Sequence, residues 1–327
     1  MLTRRGLLLG AGAAIAGFRP ALAQSRESFL TAADVHVAGY PTVEAMRWMG
    51  EKIDRESGGR LGVRVYHSGQ LGRENDTINL ARFGVLDITR VNMAALNNAF
   101  PATSILSAPY VFDSTAHMRR ALDGPVGREI LRRFEVRGLI GLAFYDSGAR
   151  CFYNVRHPVH EPHDLHGLKL RVPPSDIFIA MGRALGVNPT PLSYGEIYSA
   201  LQTHLIDGAE NNWITFDTSR HFEVARYWSQ SEHSYSPEAL LMGKGRFDAL
   251  SASDQELVRT AATQSVEFMR GLWDRAEEAS KAKVIAAGVH VNDVDRAAFH
   301  EATAPLLKRY LQDPELDELY RGIRAVA

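Results

Sequence analysis

Two arginines stand where arginine is uncommon. Arg150 follows Ser147-Gly148-Ala149 and precedes Cys151-Phe152-Tyr153, and Arg171 sits in Leu168-Lys169-Leu170-Arg171-Val172 just ahead of Pro173-Pro174. Each lies in an apolar, strand-like run, and a guanidinium among apolar neighbours needs a partner. That partner is either an internal carboxylate, making a salt bridge, or the carboxylate of a ligand. A guanidinium fork offers two parallel N–H donors that match both oxygens of a carboxylate. A second stretch is rich in amides and aromatics: Tyr194-Gly195-Glu196-Ile197-Tyr198, then Asp207-Gly208-Ala209-Glu210-Asn211-Asn212-Trp213. Aromatic rings cover the C–H faces of a polyhydroxylated molecule while amides such as Asn211 and Asn212 bond its hydroxyls. For Trp213 the alternative is plain core packing.

Catalytic signals are scarce. The sequence has no His-Glu-x-x-His, no Gly-x-Ser-x-Gly and no phosphate loop. Cys151 is the single cysteine, which excludes an internal disulfide and a cysteine-built metal cluster. Inside a strand it reads as a buried, inert thiol. His157, His160, His163 and His166 recur every third residue around Glu161. Pro158 and Pro162 break any helix there, so the histidines share no face and read as a solvated loop rather than a metal site. Thirty-seven Lys+Arg against 38 Asp+Glu leave a net charge of −1, which gives no basic field for nucleic acid or an anionic membrane. No cofactor or metal is expected.

The elements that must position these residues alternate between strand and helix, which points to an α/β fold. Strands are expected over Phe29–His36, Leu61–Tyr66, Leu86–Val91, Leu139–Tyr145, Ala149–Val155 and Leu168–Val172, the last stopped by Pro173-Pro174. Helices are expected over Thr42–Ser57, from near Glu74, from an N-cap at Ser175 to Leu185, and over Glu196–Leu205. Ser253-Asp254-Gln255-Glu256 reads as a capping box. The helical pattern behind it runs to Ala287, more than an ordinary helix spans, and suits a helix that crosses between two lobes with a bend at Gly271. Ahead of all this, residues 1–23 show Arg4-Arg5, an apolar run and Ala21-Leu22-Ala23. This reads as a twin-arginine-like export signal cleaved near Ala23. Its removal, with Arg4, Arg5 and Arg19, takes the net charge from −1 to −4 and suggests a periplasmic resident.

Five motifs, in this order, resemble one family. They are Gln70-Leu71-Gly72, Gly167-Leu-Lys-Leu-Arg-Val-Pro173, Ala184-Leu-Gly-Val-Asn-Pro-Thr-Pro-Leu192, Glu196-Ile-Tyr-Ser-Ala-Leu-Gln202 and Ile206-Asp-Gly-Ala-Glu-Asn211. The resemblance is to the DctP-like substrate-binding proteins of TRAP transporters and covers essentially the whole chain after the signal. It implies a two-lobed periplasmic binding fold with a central cleft, a hinge and a long helix crossing between lobes. Lobe 1 would take 26–148 and 237–276, and lobe 2 would take 149–236 and 277–327. It also implies an organic-acid ligand handed to a small and a large membrane subunit, and a monomer. Feeding a sensor kinase instead stays open.

By the same resemblance, Arg171 is the arginine that clamps the ligand carboxylate, Arg150 a second arginine at the ligand, and Asn211 the amide that supports the carboxylate. Tyr194 walls the cleft. Glu74 meets the polar end of larger ligands, Asn92 is a further contact, and Arg90 and His36 are contacts from the same lobe. Tyr145–Arg150 and Ala209–Trp213 resemble members that bind hexuronates. A C4 dicarboxylate would instead need a second cation at the far end, for which Arg90 is the candidate. The competing class is a sugar-acid lyase or isomerase with Tyr194 or Glu74 as base.

Overall fold

The computed structural model describes residues 28–327, so the expected export signal lies outside the described residues. Eleven strands fall in chain order: β1 (Ser28–Ala33), β2 (Leu61–Tyr66), β3 (Ile88–Asn92), β4 (Leu139–Tyr145), β5 (Arg150–Asn154), β6 (Lys169–Val172), β7 (Asn188–Pro191), β8 (Gly208–Asn211), β9 (Tyr227–Ser234), β10 (Glu238–Gly243) and β11 (His290–Asp293). They form two sheets, ordered β2-β1-β3-β10-β4 and β11-β9-β5-β8-β6-β7. Most sequence-expected elements form within a few residues of their expected ends. The two central strands of the change-over, β9 and β10, carry no apolar alternation that would announce them together. β10 runs antiparallel between β3 and β4, and β5 runs antiparallel to both β8 and β9. The sheets are therefore mixed rather than parallel.

The chain passes between the sheets twice through short segments, Asp146–Ala149 and Tyr235–Pro237. Each crossing contains backbone that few residues adopt. Gly148 has φ 62°, and a Cβ there would meet Glu277 Oε1 at 2.9 Å and Trp273 at 3.1 Å. Ser236 has φ 41°. The third crossing is the helix Ala252–Ala286, 35 residues long and unbroken through Gly271. Its cap is Ser251, whose side chain accepts from Asp254 N–H, so the box expected at Ser253 is displaced by one serine. Val258, Ala261, Ala262, Met269 and Trp273 bury one stripe against helix Pro41–Glu56 and the first sheet, and Val284 reaches the core of the second. Helix Pro314–Arg324 ends the chain by packing on helices Thr115–Asp123 and Pro125–Arg133 beside the first sheet. Among the described residues no helix is long and apolar enough to cross a membrane.

Candidate ligand-binding site

A cavity of about 600 Å³ lies between the sheets, lined from both sides. That is the ordinary size of a small-molecule site, roughly 300–1,000 Å³. The second-sheet wall is built by strand alternation. On β6, Leu170 and Val172 point into the core, so Arg171 between them faces the cavity. Arg171 is 4% exposed. Its Nε donates to Leu192 O at 2.8 Å, while its two Nη nitrogens have no protein partner among the described residues and open into the cavity. Burial lowers its pKa from the ordinary arginine value and the Glu210 carboxylate opposes the fall; a guanidinium stays charged at neutral pH regardless.

Arg150 differs. Its Nε and one Nη donate to the two oxygens of Glu210 at 2.5 and 2.8 Å, and its other Nη reaches Asn211 Oδ1 at 3.3 Å. Burial pushes the Glu210 carboxyl up, but Arg150 and His233 outweigh it and hold the pKa at about 2. His233 stacks on Phe152 with centroids 4.1 Å apart and sets its Nε2 3.4 Å from Glu210. Both readings of the sequence hold in part: Arg150 is an internal salt bridge and still lines the cavity.

The Asp-Gly-Ala-Glu-Asn segment explains itself residue by residue. Asp207 accepts from Lys169 N–H and from Arg156, tying β8 to β6. Gly208 passes so close to β5 that a Cβ would meet Tyr153 O at 2.3 Å. Glu210 grips Arg150. Asn211 spends its Oδ1 on Arg150 and on Asn212 N–H, which leaves Nδ2 without a protein partner among the described residues, facing the cavity. Arg171, Asn211 and one Nη of Arg150 thus present N–H donors from one wall.

The first-sheet wall is built around Arg90 on β3, whose side chain is fully buried. It donates to Asp34, to Glu238 at 2.5 Å, to Glu74 at 3.2 Å and to His36 Nδ1 at 2.8 Å. Three carboxylates share one guanidinium, so Arg90 is a support behind the wall and has no donor to spare for a second ligand carboxylate. Glu74, at the first turn of helix Glu74–Arg82, accepts from Asn92 N–H at 2.7 Å through Oε1. Its Oε2 has no protein partner among the described residues. Burial raises the Glu74 carboxyl, Arg90 lowers it and Glu238 raises it again, leaving it at about 7. Asn92 lines the cavity, but its side chain is committed: Oδ1 caps Ala94 N–H and accepts from Ser236, and Nδ2 donates to Ser236 O at 2.8 Å and Glu238 at 3.2 Å.

Aromatic groups close the cavity between the walls. His36 stacks on Tyr40 at 3.7 Å and meets the edge of Tyr194 at 5.0 Å across the cleft. Tyr194 shares a hydrogen bond of 2.5 Å with Ser219, and burial pushes its hydroxyl up to about 12. At the mouth Arg73 and Glu196 face each other at 3.3 Å. Two expected contacts do not reach the cavity. Asn212 is the N-cap of helix Trp213–Thr218, accepting from Thr215 N–H at 2.8 Å, and Trp213 stacks on Trp228 at 3.8 Å in the core. Cys151 is buried, and no group of three metal-ligating side chains occurs among the described residues. Glu238, Asp34 and Glu210 were not singled out from sequence. The signal for them was Arg90 and Arg150 themselves, buried cations that require carboxylates.

The model of the bacterial extracellular solute-binding proteins, family 7 (DctP), matches residues 32–313. The chain belongs to this family. A TRAP periplasmic solute-binding protein of Bradyrhizobium sp. BTAi1, solved in complex with α/β-D-galacturonate, is 49% identical with a TM-score of 0.90 over 91% of this chain and 100% of that one. A TRAP solute-binding protein of Chromohalobacter salexigens with bound D-glucuronate is 37% identical, with a TM-score of 0.89 over 91% of this chain and 100% of that one. The 2,3-diketo-L-gulonate-binding periplasmic protein of Escherichia coli is 31% identical over 259 residues, 79% of each chain. The fold is the mixed two-sheet periplasmic binding fold of these TRAP proteins, as the motifs implied.

Proposed function

We propose that this family 7 protein is the periplasmic substrate-binding subunit of a TRAP transporter for a hexuronate such as galacturonate or glucuronate. The observation that carries the reading is the polarity of the cavity. One wall offers N–H donors and an unpaired cation, Arg171; the other offers carboxylate acceptors. A hexuronate has matching ends, one carboxylate and a set of hydroxyl donors. Its carboxylate sits on the Nη groups of Arg171 with Asn211 and Arg150 beside it, its hydroxyls donate to Glu74, and Tyr194 and His36 border the ring. The uronates bound in the Bradyrhizobium and Chromohalobacter proteins support the same class. A C4 dicarboxylate fits less well, because Arg90 is taken up by Asp34, Glu238 and Glu74.

Binding draws the lobes together. In our reading lobe 1 is 26–148 and 237–276, lobe 2 is 149–236 and 277–327, and the crossings at Asp146–Ala149 and Tyr235–Pro237 are the hinge. Closure follows only if the closed state binds the ligand better than the open one. Shifting the population from 1:99 to 99:1 takes about 5.5 kcal/mol of differential affinity. Two charge-assisted hydrogen bonds at about 1.5–3 kcal/mol each supply most of that. The monomeric protein, freed of residues 1–23 on export, then delivers the acid to the small and large membrane subunits. It performs no reaction; galacturonate recovered after long incubation stays unchanged. A thermal-shift series tests the function: ligand at about 100 times its Kd adds about 2.7 kcal/mol to the folded state and moves Tm by several degrees. Hexuronates shift the midpoint and neutral hexoses leave it in place; a shift with C4 dicarboxylates alone would overturn the uronate assignment.

A further inference from the structure

The two walls do not merely differ in sign; they count charges. On the first-sheet side Asp34, Glu74 and Glu238 meet one cation, Arg90, all within an enclosed corner. His36 adds no charge there, since burial and Arg90 lower its pKa. At the rim Arg73 is set against Glu196 and beside Asp76, so it does not offset the corner. On the second-sheet side Glu210 neutralises Arg150, and Arg171 alone remains. The cavity therefore has one cation to give a ligand and a surplus of carboxylate opposite it. Glu74 aims its unpartnered Oε2 from that surplus into the space a ligand's far end must occupy.

We propose that Glu74 and Glu238 are specificity-determining residues that restrict this site to acids with a single carboxylate, and that a proton taken up by Glu74 relaxes the restriction. The inference rests on the uronate reading and sharpens its substrate class. A hydroxyl at the far end donates to Glu74. A second carboxylate there faces two like charges in a desolvated corner with no free cation, an arrangement that costs several kcal/mol at an interface. Protonated Glu74 both removes one of those charges and becomes a donor to the second carboxylate. The groups facing Glu74 are Arg90 and the Asn92 N–H on β3, Glu238 on β10, Asp34 after β1, and Arg171 across the cavity. Among the carboxylates there, Glu74 is the one raised to about 7, while Arg90 and His36 outweigh burial and lower the Asp34 pKa. The relaxation therefore develops between weakly alkaline and weakly acidic pH.

The test compares D-galacturonate with galactarate, the six-carbon acid that carries a second carboxylate in place of the aldehyde carbon. Both stay fully ionised at about pH 5.5 and above, so any pH effect belongs to the protein. Calorimetric titrations are run on the wild type and on Glu74→Gln at about pH 8 and about pH 5.5. In the wild type at about pH 8, galactarate should bind about 100-fold more weakly than galacturonate, the weight of a like-charge clash. That ratio should fall by about tenfold at about pH 5.5, as Glu74 is protonated. In Glu74→Gln the ratio should be small and the same at both pH values. Equal affinities in the wild type at about pH 8 would overturn the proposal. So would a ratio that neither pH nor the variant moves, since the exclusion would then be one of shape. The wild-type pH series stands without the variant. The galacturonate arm alone reports on the uronate reading: no galacturonate binding at either pH removes that reading and this inference with it, whereas galacturonate binding with undiminished galactarate binding removes the inference alone.

Discussion

Arg171 and Arg90 face each other across the same cavity, both buried, and do opposite jobs. Arg90 is surrounded by three carboxylates and has nothing left for a ligand. Arg171 has a backbone carbonyl for its Nε and no carboxylate for its Nη groups. Two buried guanidinium groups on strands look alike as residue types; their roles are set by how many anions the fold brings to each. A cation left without a counter-charge in a protein interior is costly unless something arrives to pair with it. The anion that pairs with Arg171 is, in our account, the ligand.

The largest effect tests this contrast directly. Arg171→Ala should weaken galacturonate binding by about 3–6 kcal/mol, two charge-assisted hydrogen bonds, while the thermal midpoint without ligand stays the same or rises. Arg171→Lys should bind poorly too, because an ammonium cannot reproduce the fork. Calorimetry with a thermal melt reads both quantities, and a destabilised Arg171→Ala protein would break the comparison. Glu210→Gln is the converse. It leaves Arg150 buried without its carboxylate, and denaturant unfolding should show a loss of about 3–5 kcal/mol in the ligand-free protein.

The walls should also answer acid with opposite signs. Glu210 is held at about 2 in the folded protein, below the ordinary carboxylate value. Its contribution to stability is complete above the ordinary value and is lost as pH falls through it toward 2. Glu74 is raised to about 7. The folded state then binds a proton more tightly than the unfolded chain, and its contribution falls as pH rises from the ordinary value through 7. Unfolding free energies of wild type and Glu210→Gln across this range should differ most above the ordinary carboxylate value and converge in acid. A constant difference would assign Glu210 a packing role only.

How far the sequence reaches follows the same line. The positions of Arg150 and Arg171 on strands, the Pro173 stop and the Asp-Gly-x-Glu-Asn segment are local and were legible. The partners of Arg90 were not, because Asp34, Glu74 and Glu238 come from three distant parts of the chain. β9 was hidden for a different reason. Tyr227–Ser234 is mostly polar, yet Ser229, Ser231, His233 and Ser234 are buried; they bond within the protein, as Ser231 does to His233 at 2.9 Å. Asn212 and Trp213 read as ligand contacts because amide-next-to-aromatic suits a sugar, but the same pair caps and anchors helix Trp213–Thr218. The smallest predicted effect follows from that correction. Asn212→Ala should cost about 1 kcal/mol of stability through the lost cap and leave galacturonate affinity as it is; a lost affinity would return Asn212 to the site.

The central claim is that a ligand carboxylate completes the pairing of Arg171. D-Galactose differs from D-galacturonate in having a hydroxymethyl group where the carboxylate stands, so titrating both sugars into the wild-type protein isolates that group. The account predicts galacturonate binding at least about 100-fold tighter than galactose, two charge-assisted bonds at the lower end of their range. Equal binding of the two would contradict it.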